Sequence, residues 1–449
     1  MMQFGTQRLN GAGHLEIGGC DAVELARTFG TPLYVLDEAL VREKCRAYRD
    51  NFTRLYPNTI VSYSAKALAI QAVCRIVESE GLHIDVASHG ELHTALSAGC
   101  SPNHITCHGN YKSDAEIAAA MDAGVFRIVA DSLPELHQLE RLAGERGNRT
   151  PIQIRLNPGV KPHIHEYVQT GHLDSKFGLG IETGAAEEGV VTAHGLPHLN
   201  LKGIHCHIGS QIFDAECYHR AIDVMLDFAL AMKEVHGITF EELNLGGGLG
   251  IRYTREDAPP SLDSFARTVV GALIEALDAR DLGRPTLMLE PGRSIVGEAG
   301  TTLYTVGVVK HIQGVRTYVT VDGGLSDNPR PALYEAEYEA IVANKASEPP
   351  SVRVRVSGKH CETDTLISDI TIQQPEPGDI LAVFCTGAYN HSMASNYNRF
   401  PRPAVVLVND ARAEIVVERE TLDDLITHDR VPARLAAEAP AEEREAASG

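Results

Sequence analysis

Thr59-Ile-Val-Ser-Tyr-Ser-Ala-Lys66 is a β-rich run that ends in an amine, and seven further runs repeat its texture. They occupy residues 83–88, 105–109, 127–132, 152–158, 202–209, 242–248 and 287–292, with 59–65 at the head of the series. The first five begin 22 to 25 residues apart, close to the length of one short strand plus one helix. The stretches between them, such as 90–98 and 113–123, have the Ala, Leu, Glu and Ile content of amphipathic helices. Eight βα units over about 250 residues predict an α/β fold built on a TIM-like (β/α)8 barrel. A doubly wound sheet is the rival reading of the same strand count.

After residue 300 the texture changes. Residues 301–311, 316–323, 351–357, 379–387, 403–408 and 413–418 alternate and are β-branched, with Gly, Pro or Asp between them. That pattern predicts a C-terminal, mostly antiparallel β domain. The expected layout is an N-terminal segment at 1–33 joining the β domain, a barrel at 34–293 and the β domain at 294–430. The Ala/Glu-rich stretch 431–449 has no apolar face and reads as a disordered tail.

Composition bounds the function. Of 449 residues 43% are apolar and 22% charged, as in ordinary soluble domains. The net charge of −20 argues against a nucleic-acid partner. No apolar run approaches the roughly 20 residues that span a bilayer, so no membrane partner is expected. The N-terminus lacks an apolar signal region, and nine scattered cysteines form no Cys-x-x-Cys pair, which together point to the cytoplasm. His205 and His207 alternate onto one face of a strand, but no second pair follows at zinc spacing and no metal is expected.

Barrel enzymes carry their reactive groups at the C-terminal ends of the strands, and these runs end in polar or glycine-rich chemistry. The first ends at Lys66, one of ten lysines, where an amine closing an apolar strand must either reach water or be desolvated and reactive. The second carries Asp85 and Ser88, the fifth Arg155 and Asn157, and the sixth ends His207-Ile-Gly-Ser210-Gln211. The seventh ends Gly246-Gly247-Gly248-Leu-Gly250, which is either a tight turn or an anion nest of bare backbone amides. It is not the dinucleotide fingerprint, because Ile251 stands where the third glycine would be. The eighth ends Glu290-Pro-Gly292-Arg293, an acid on an apolar strand followed by a cation suited to the same anion. An amine, a phosphate cradle, a carboxylate and an imidazole together describe a site for pyridoxal 5′-phosphate.

At these residues the chain resembles the fold-type III pyridoxal-phosphate-dependent decarboxylases. The matching pieces are Tyr63-Ser-Ala-Lys66, His207-Ile-Gly-Ser-Gln211, Gly246-Gly-Gly248, Glu290-Pro-Gly-Arg293, Asp327-Asn-Pro-Arg-Pro-Ala-Leu-Tyr334, His360-Cys-Glu362 and Gly387-Ala-Tyr389. They occur in the family's order across roughly residues 30–425. The resemblance implies the pyridoxal-binding barrel with a C-terminal β domain of alanine-racemase/decarboxylase type. It implies that Lys66 holds the cofactor and that Asp85 and His207 flank it. Ser210, Gly246, Gly247, Gly248, Gly292, the backbone around Arg293 and the Tyr389 hydroxyl would bind phosphate, and Glu290 would pair with the ring nitrogen. Cys361 would be the proton donor, and Arg293, Arg330, Tyr334, Glu362 and Tyr389 would grip the substrate. In the family Cys361 and Glu362 serve the neighbouring subunit's site, which implies a homodimer with shared sites.

The implied reaction is decarboxylation of meso-2,6-diaminopimelate to L-lysine and carbon dioxide, the last step of lysine synthesis. Arg293 and Arg330 suit the distal carboxylate of that substrate, and Glu362 its distal ammonium. The alternative is a decarboxylase of another basic amino acid or a carboxy-polyamine. One departure stands out: the family's Cys-Glu-Ser-Gly-Asp run is here Cys361-Glu-Thr-Asp364-Thr, one residue shorter, which leaves Asp364 without an assigned role.

Overall fold

A computed structural model describes residues 3–160 and 175–435. Eight parallel strands close on themselves: Thr59–Ser64, His83–Val86, Ile105–Cys107, Arg127–Ala130, Thr150–Asn157, Leu199–His205, Glu242–Asn244 and Thr286–Leu289. Thr286–Leu289 pairs back to Thr59–Ser64, so the sheet is a barrel and not a doubly wound layer. All eight sequence runs are strands, but several overshoot at their C-terminal ends. The polar residues there leave the ladder and enter the loops.

The helices follow from local sequence. Ser88 caps His89–Ser97 by accepting the Glu91 N–H, and Ser113 with Glu116 forms a capping box on Asp114–Ala123. The long helix Glu38–Leu55 precedes the first strand and packs beside Leu262–Ala279, closing the outer ring. Near its N-terminal end the barrel interior holds a buried polar cluster beside Met288. Buried Glu242 accepts both Arg127 Nε (3.0 and 2.9 Å) and Gln153 Nε2 (2.8 Å), whereas Ser62 Oγ and Thr106 Oγ1 on the first and third strands have no partner among the described residues.

The second body is a largely antiparallel sheet. Its order runs Thr365–Ile372, Val352–Ser357, Arg316–Val321, Gly300–Ile312, Leu33–Asp37, Ala404–Asn409, Arg412–Val417. Ile380–Phe384 also pairs with Gly300–Ile312, and in turn with Ala340–Val342. Two pairings are parallel: Arg316–Val321 with Val352–Ser357, and Ala404–Asn409 with Leu33–Asp37. The N-terminal contribution to this sheet is Leu33–Asp37, whereas Leu15–Ile17 sits in a separate three-stranded sheet with Arg8–Leu9 and Cys20–Asp21. That small sheet docks through Gln7 on Thr301 and Gly18 on Ala411. Of the expected tail, residues 436–449 lie outside the described residues. No helix among the described residues is long and apolar enough to cross a membrane.

Candidate active site

The C-terminal ends of four barrel strands meet at one carboxylate. Glu290, just past Thr286–Leu289, is buried, and its Oε1 receives His108 Nε2 at 2.9 Å and Asn244 Nδ2 at 2.7 Å. Its Oε2 receives His205 Nε2 at 3.1 Å. Burial opposes the charge on Glu290, yet His108 and His205 outweigh it and hold the carboxyl well below its usual range. Burial pushes His205 down to about 4, so near neutral pH it is a neutral N–H donor to Glu290. Burial alone would lower His108 too, but Glu290 and Asp85 raise it, making it the positive partner. Asp85 accepts Ser64 Oγ at 2.6 Å and lies 3.6 Å from His108; its pKa is raised, first by burial. Nitrogen and oxygen atoms of His108, His205 and Glu290 lie within 4.8 Å of one another, but both imidazoles are already turned onto the Glu290 oxygens.

Lys66 stands in the one-turn helix Ala65–Ala67 directly after the first strand. Its side chain is exposed, so of the two options open to an amine at a strand end, this one reaches solvent. Its charge is felt by Asp85, Glu91 and His207, which places it over the same cluster. The Ala67 carbonyl beside it accepts Tyr389 N–H (2.9 Å) and Ser392 Oγ (3.1 Å), tying the lysine turn to the second sheet body.

Gly246, Gly247 and Gly248 run between the sixth and eighth strand ends. A Cβ would lie 2.6 Å from the Cys206 carbonyl oxygen at Gly246, 2.2 Å from that of Glu290 at Gly247 and 2.6 Å from that of Gly209 at Gly248. Only glycine allows backbone so close. Gly247 N–H donates to His207 Nδ1 at 3.3 Å, which orients that ring. Ser210 Oγ accepts Arg293 Nε and Nη2 (3.2 and 2.9 Å), and the Arg293 guanidinium lies 4.8 Å from the Tyr389 ring centre. Gly292 opens the short turn that carries Arg293. Arg330 is also buried; its Nη1 donates to Tyr338 at 2.6 Å and its guanidinium lies 4.7 Å from the Tyr253 ring centre.

Cys361 and Glu362 lie elsewhere. Both are exposed on the loop between Val352–Ser357 and Thr365–Ile372, and their hydrogen bonds run to neighbours within the β body. Cys361 N–H donates to Asn398 Oδ1 (3.1 Å), and Glu362 Oε1 accepts the Tyr397 hydroxyl (2.6 Å). Asp364 holds this loop: it accepts His360 Nδ1 (2.5 Å), His360 N–H (3.1 Å) and Leu325 N–H (2.8 Å). The last bond fastens the Cys361 loop to the segment that leads to Arg330.

Of the residues singled out in the sequence, Lys66, Asp85, His207, Ser210, the 246–248 glycines, Glu290, Gly292, Arg293, Arg330 and Tyr389 surround one mouth. Cys361 and Glu362 stand apart from it. Tyr334 is half-buried at the end of Arg330–Tyr334, but the phenol bonded to Arg330 is that of Tyr338. Ser88 is a helix cap, and Arg155 stacks 4.4 Å from the Phe177 ring centre with Asp131 at 3.9 Å. As members of this site the sequence reading left out His108, His205 (weighed there only as a metal ligand), Asn244, Tyr253 and Tyr338. The first three end or follow barrel strands, a positional signal that was present; the two tyrosines sit in irregular segments with no such marker.

Comparison with known proteins gives a consistent result. Residues 38–297 match the family model described as "Pyridoxal-dependent decarboxylase, pyridoxal binding domain". The chain is 45% identical over 430 residues to a Bacillus subtilis protein named diaminopimelate decarboxylase, covering 96% of this chain and 98% of the relative. A Synechocystis protein of the same name is 43% identical over 440 residues, covering 96% and 93%. The crystal structure of the diaminopimelate decarboxylase of M. jannaschii superposes with a TM-score of 0.89 at 36% identity, covering 96% and 99%.

Proposed function

This chain belongs to the pyridoxal-dependent decarboxylases, and on that premise we propose that it converts meso-2,6-diaminopimelate to L-lysine and carbon dioxide. Its cofactor is pyridoxal 5′-phosphate, and the residues present suit it. An exposed amine, an ionised carboxylate fed by three donors, and a glycine cradle beside Ser210 match its aldehyde, its ring nitrogen and its phosphate in turn. When bound, the group supplies an aldehyde for amines and a ring that accepts electrons.

The chain's own side chains do the rest. Lys66, exposed at the end of the first barrel strand, would hold the cofactor through its amine. Glu290, kept negative by His108, would pair with the ring nitrogen and favour its protonated form, and His207 would flank the ring. Ser210, the 246–248 backbone, Gly292 and Tyr389 bind the phosphate. Arg293 and Arg330 take the distal carboxylate, with Tyr334 at the entrance. Cys361 delivers the proton that replaces carbon dioxide, and Glu362 takes the distal ammonium. Because those two residues stand on an exposed loop, they serve the site of a second copy, which makes the working unit a homodimer.

The observation that carries the substrate assignment is the pair of buried guanidinium groups held by phenols and a serine rather than by acids. With no carboxylate partner among the described residues, these buried cations suit an anion supplied by the substrate. All nine cysteines are free thiols, in keeping with a reducing cytoplasm. The test is carbon dioxide release by the purified holoenzyme, measured against meso-diaminopimelate, L-lysine, L-ornithine and L-arginine. Turnover of the first alone is expected. Bound cofactor without release from meso-diaminopimelate would sink the assignment.

A further inference from the structure

Tyr253 has no part in the chemistry so far, yet it touches both arginines. It is buried in the irregular segment after the glycine run, and Asp257 Oδ2 fixes its backbone by accepting the N–H groups of Tyr253 (2.9 Å) and Thr254 (2.8 Å). Arg293 Nη1 donates to the Tyr253 hydroxyl at 2.6 Å. The Arg330 guanidinium lies 4.7 Å from the same ring's centre and that of Arg293 5.7 Å from it. Tyr338, whose hydroxyl accepts Arg330 Nη1, meets the Tyr253 ring edge-on, 5.5 Å between centres. Neither arginine has a carboxylate partner among the described residues. Two buried cations that share one ring repel each other, and the π face of that ring, with its hydroxyl as acceptor, offsets that repulsion without neutralising either charge.

We propose that Tyr253 is a positioning residue that sets Arg293 and Arg330 as two arms of one clamp on the distal carboxylate, and so sets the preference for a substrate with a second carboxylate. An acid in its place would neutralise the arms; an aliphatic side chain would let them part. The inference rests on the function proposed above.

The test uses the holoenzyme with Tyr253→Phe, which keeps the ring and removes the acceptor, and Tyr253→Leu, which removes both. For Tyr253→Phe, KM for meso-diaminopimelate rises about tenfold and kcat falls by less. For Tyr253→Leu the rise is larger, and inhibition by L-lysine, which retains the distal carboxylate, weakens by a similar factor. Inhibition by 1,5-diaminopentane, which lacks that carboxylate, and the cofactor absorbance stay as in wild type. Unchanged KM and L-lysine inhibition in both variants, or equal weakening of both inhibitors, overturns the proposal. Where Tyr253→Leu fails to fold, Tyr253→Phe decides alone. Wild-type protein that holds cofactor but releases no carbon dioxide defeats the functional reading instead, and calorimetric binding of L-lysine against 1,5-diaminopentane then still tests the clamp.

Discussion

Asp364 gives the sharpest perturbation. Its Oδ1 accepts Leu325 N–H, and its Oδ2 accepts both the backbone N–H and Nδ1 of His360. His360 Nε2 in turn accepts Ser326 N–H at 3.3 Å, so the imidazole is a neutral Nδ1–H tautomer with no freedom to switch. The space is tight: a Cβ on either Gly324 or Gly358 would stand 2.1 Å from Oδ2. In Asp364→Asn one oxygen becomes an NH2. With the amide oxygen toward His360, Leu325 N–H faces another donor; with it toward Leu325, His360 N–H does. The better orientation strands one buried N–H, which costs about 1–3 kcal/mol. Asp364→Ala strands three donors and costs correspondingly more. Urea unfolding of wild type and both variants at one pH reads the loss, and carbon dioxide release reads its effect on the Cys361 loop. An Asp364→Asn protein within about 0.5 kcal/mol of wild type would refute the reasoning, because ordinary surface changes fall in that range.

Two further outcomes follow from other sites. Burial raises Asp327 to about 7 while Tyr304 and Gly324 N–H hydrogen-bond its carboxyl. Since the folded value exceeds the unfolded one near 4, its contribution to stability is full below about pH 4 and is lost as pH rises through 7. Asp327→Asn, which keeps an acceptor for Gly324, therefore gains on wild type between pH 5 and 8, by about 1–3 kcal/mol at the upper end; a melting difference that is flat across that range contradicts it. Lys66→Ala and Cys361→Ala are each nearly inactive alone. In the proposed homodimer with shared sites, mixed and reassociated subunits are expected to recover about a quarter of wild-type turnover, since half the dimers would be mixed and each of these would have one intact site; no recovery in a mixture shown to exchange subunits would mean that the sites are not shared.

Much of this molecule was legible before its structure. The eight barrel strands announced themselves because parallel strands buried on both faces read as short continuous apolar runs at regular spacing. The strand-end rule then gathered Lys66, Asp85, His207 and Glu290 into one place. In the β body three strands went unread: Leu33–Asp37, Ala340–Val342 and Thr365–Ile372. The first two are short and lie far in sequence from their partners, and Thr365–Ile372 is interrupted by register shifts. Tyr253 and Tyr338 were equally hidden, because no local pattern reports that two aromatic rings 85 residues apart meet across an arginine. Asp364 was read as an orphan of a shortened motif. Its partners are His360, four residues back, and Leu325, on a different loop, and only the fold brings that second one near.

The hydrogen bonds from Tyr389 and Ser392 to the Ala67 carbonyl also bear on how the protein matures. The turn that presents the reactive amine belongs to the first barrel strand, but its closing partner Ser392 lies 325 residues further along. Contacts of such sequence separation form late, after loop-closure entropy has been overcome. During synthesis the barrel strands therefore emerge well before the lysine turn has its final shape. On the proposed role of Lys66, secure capture of the cofactor is expected to wait until the segment carrying Tyr389 and Ser392 docks on the lysine turn. Refolding with the cofactor added at intervals would reveal this order as absorbance that lags behind barrel formation.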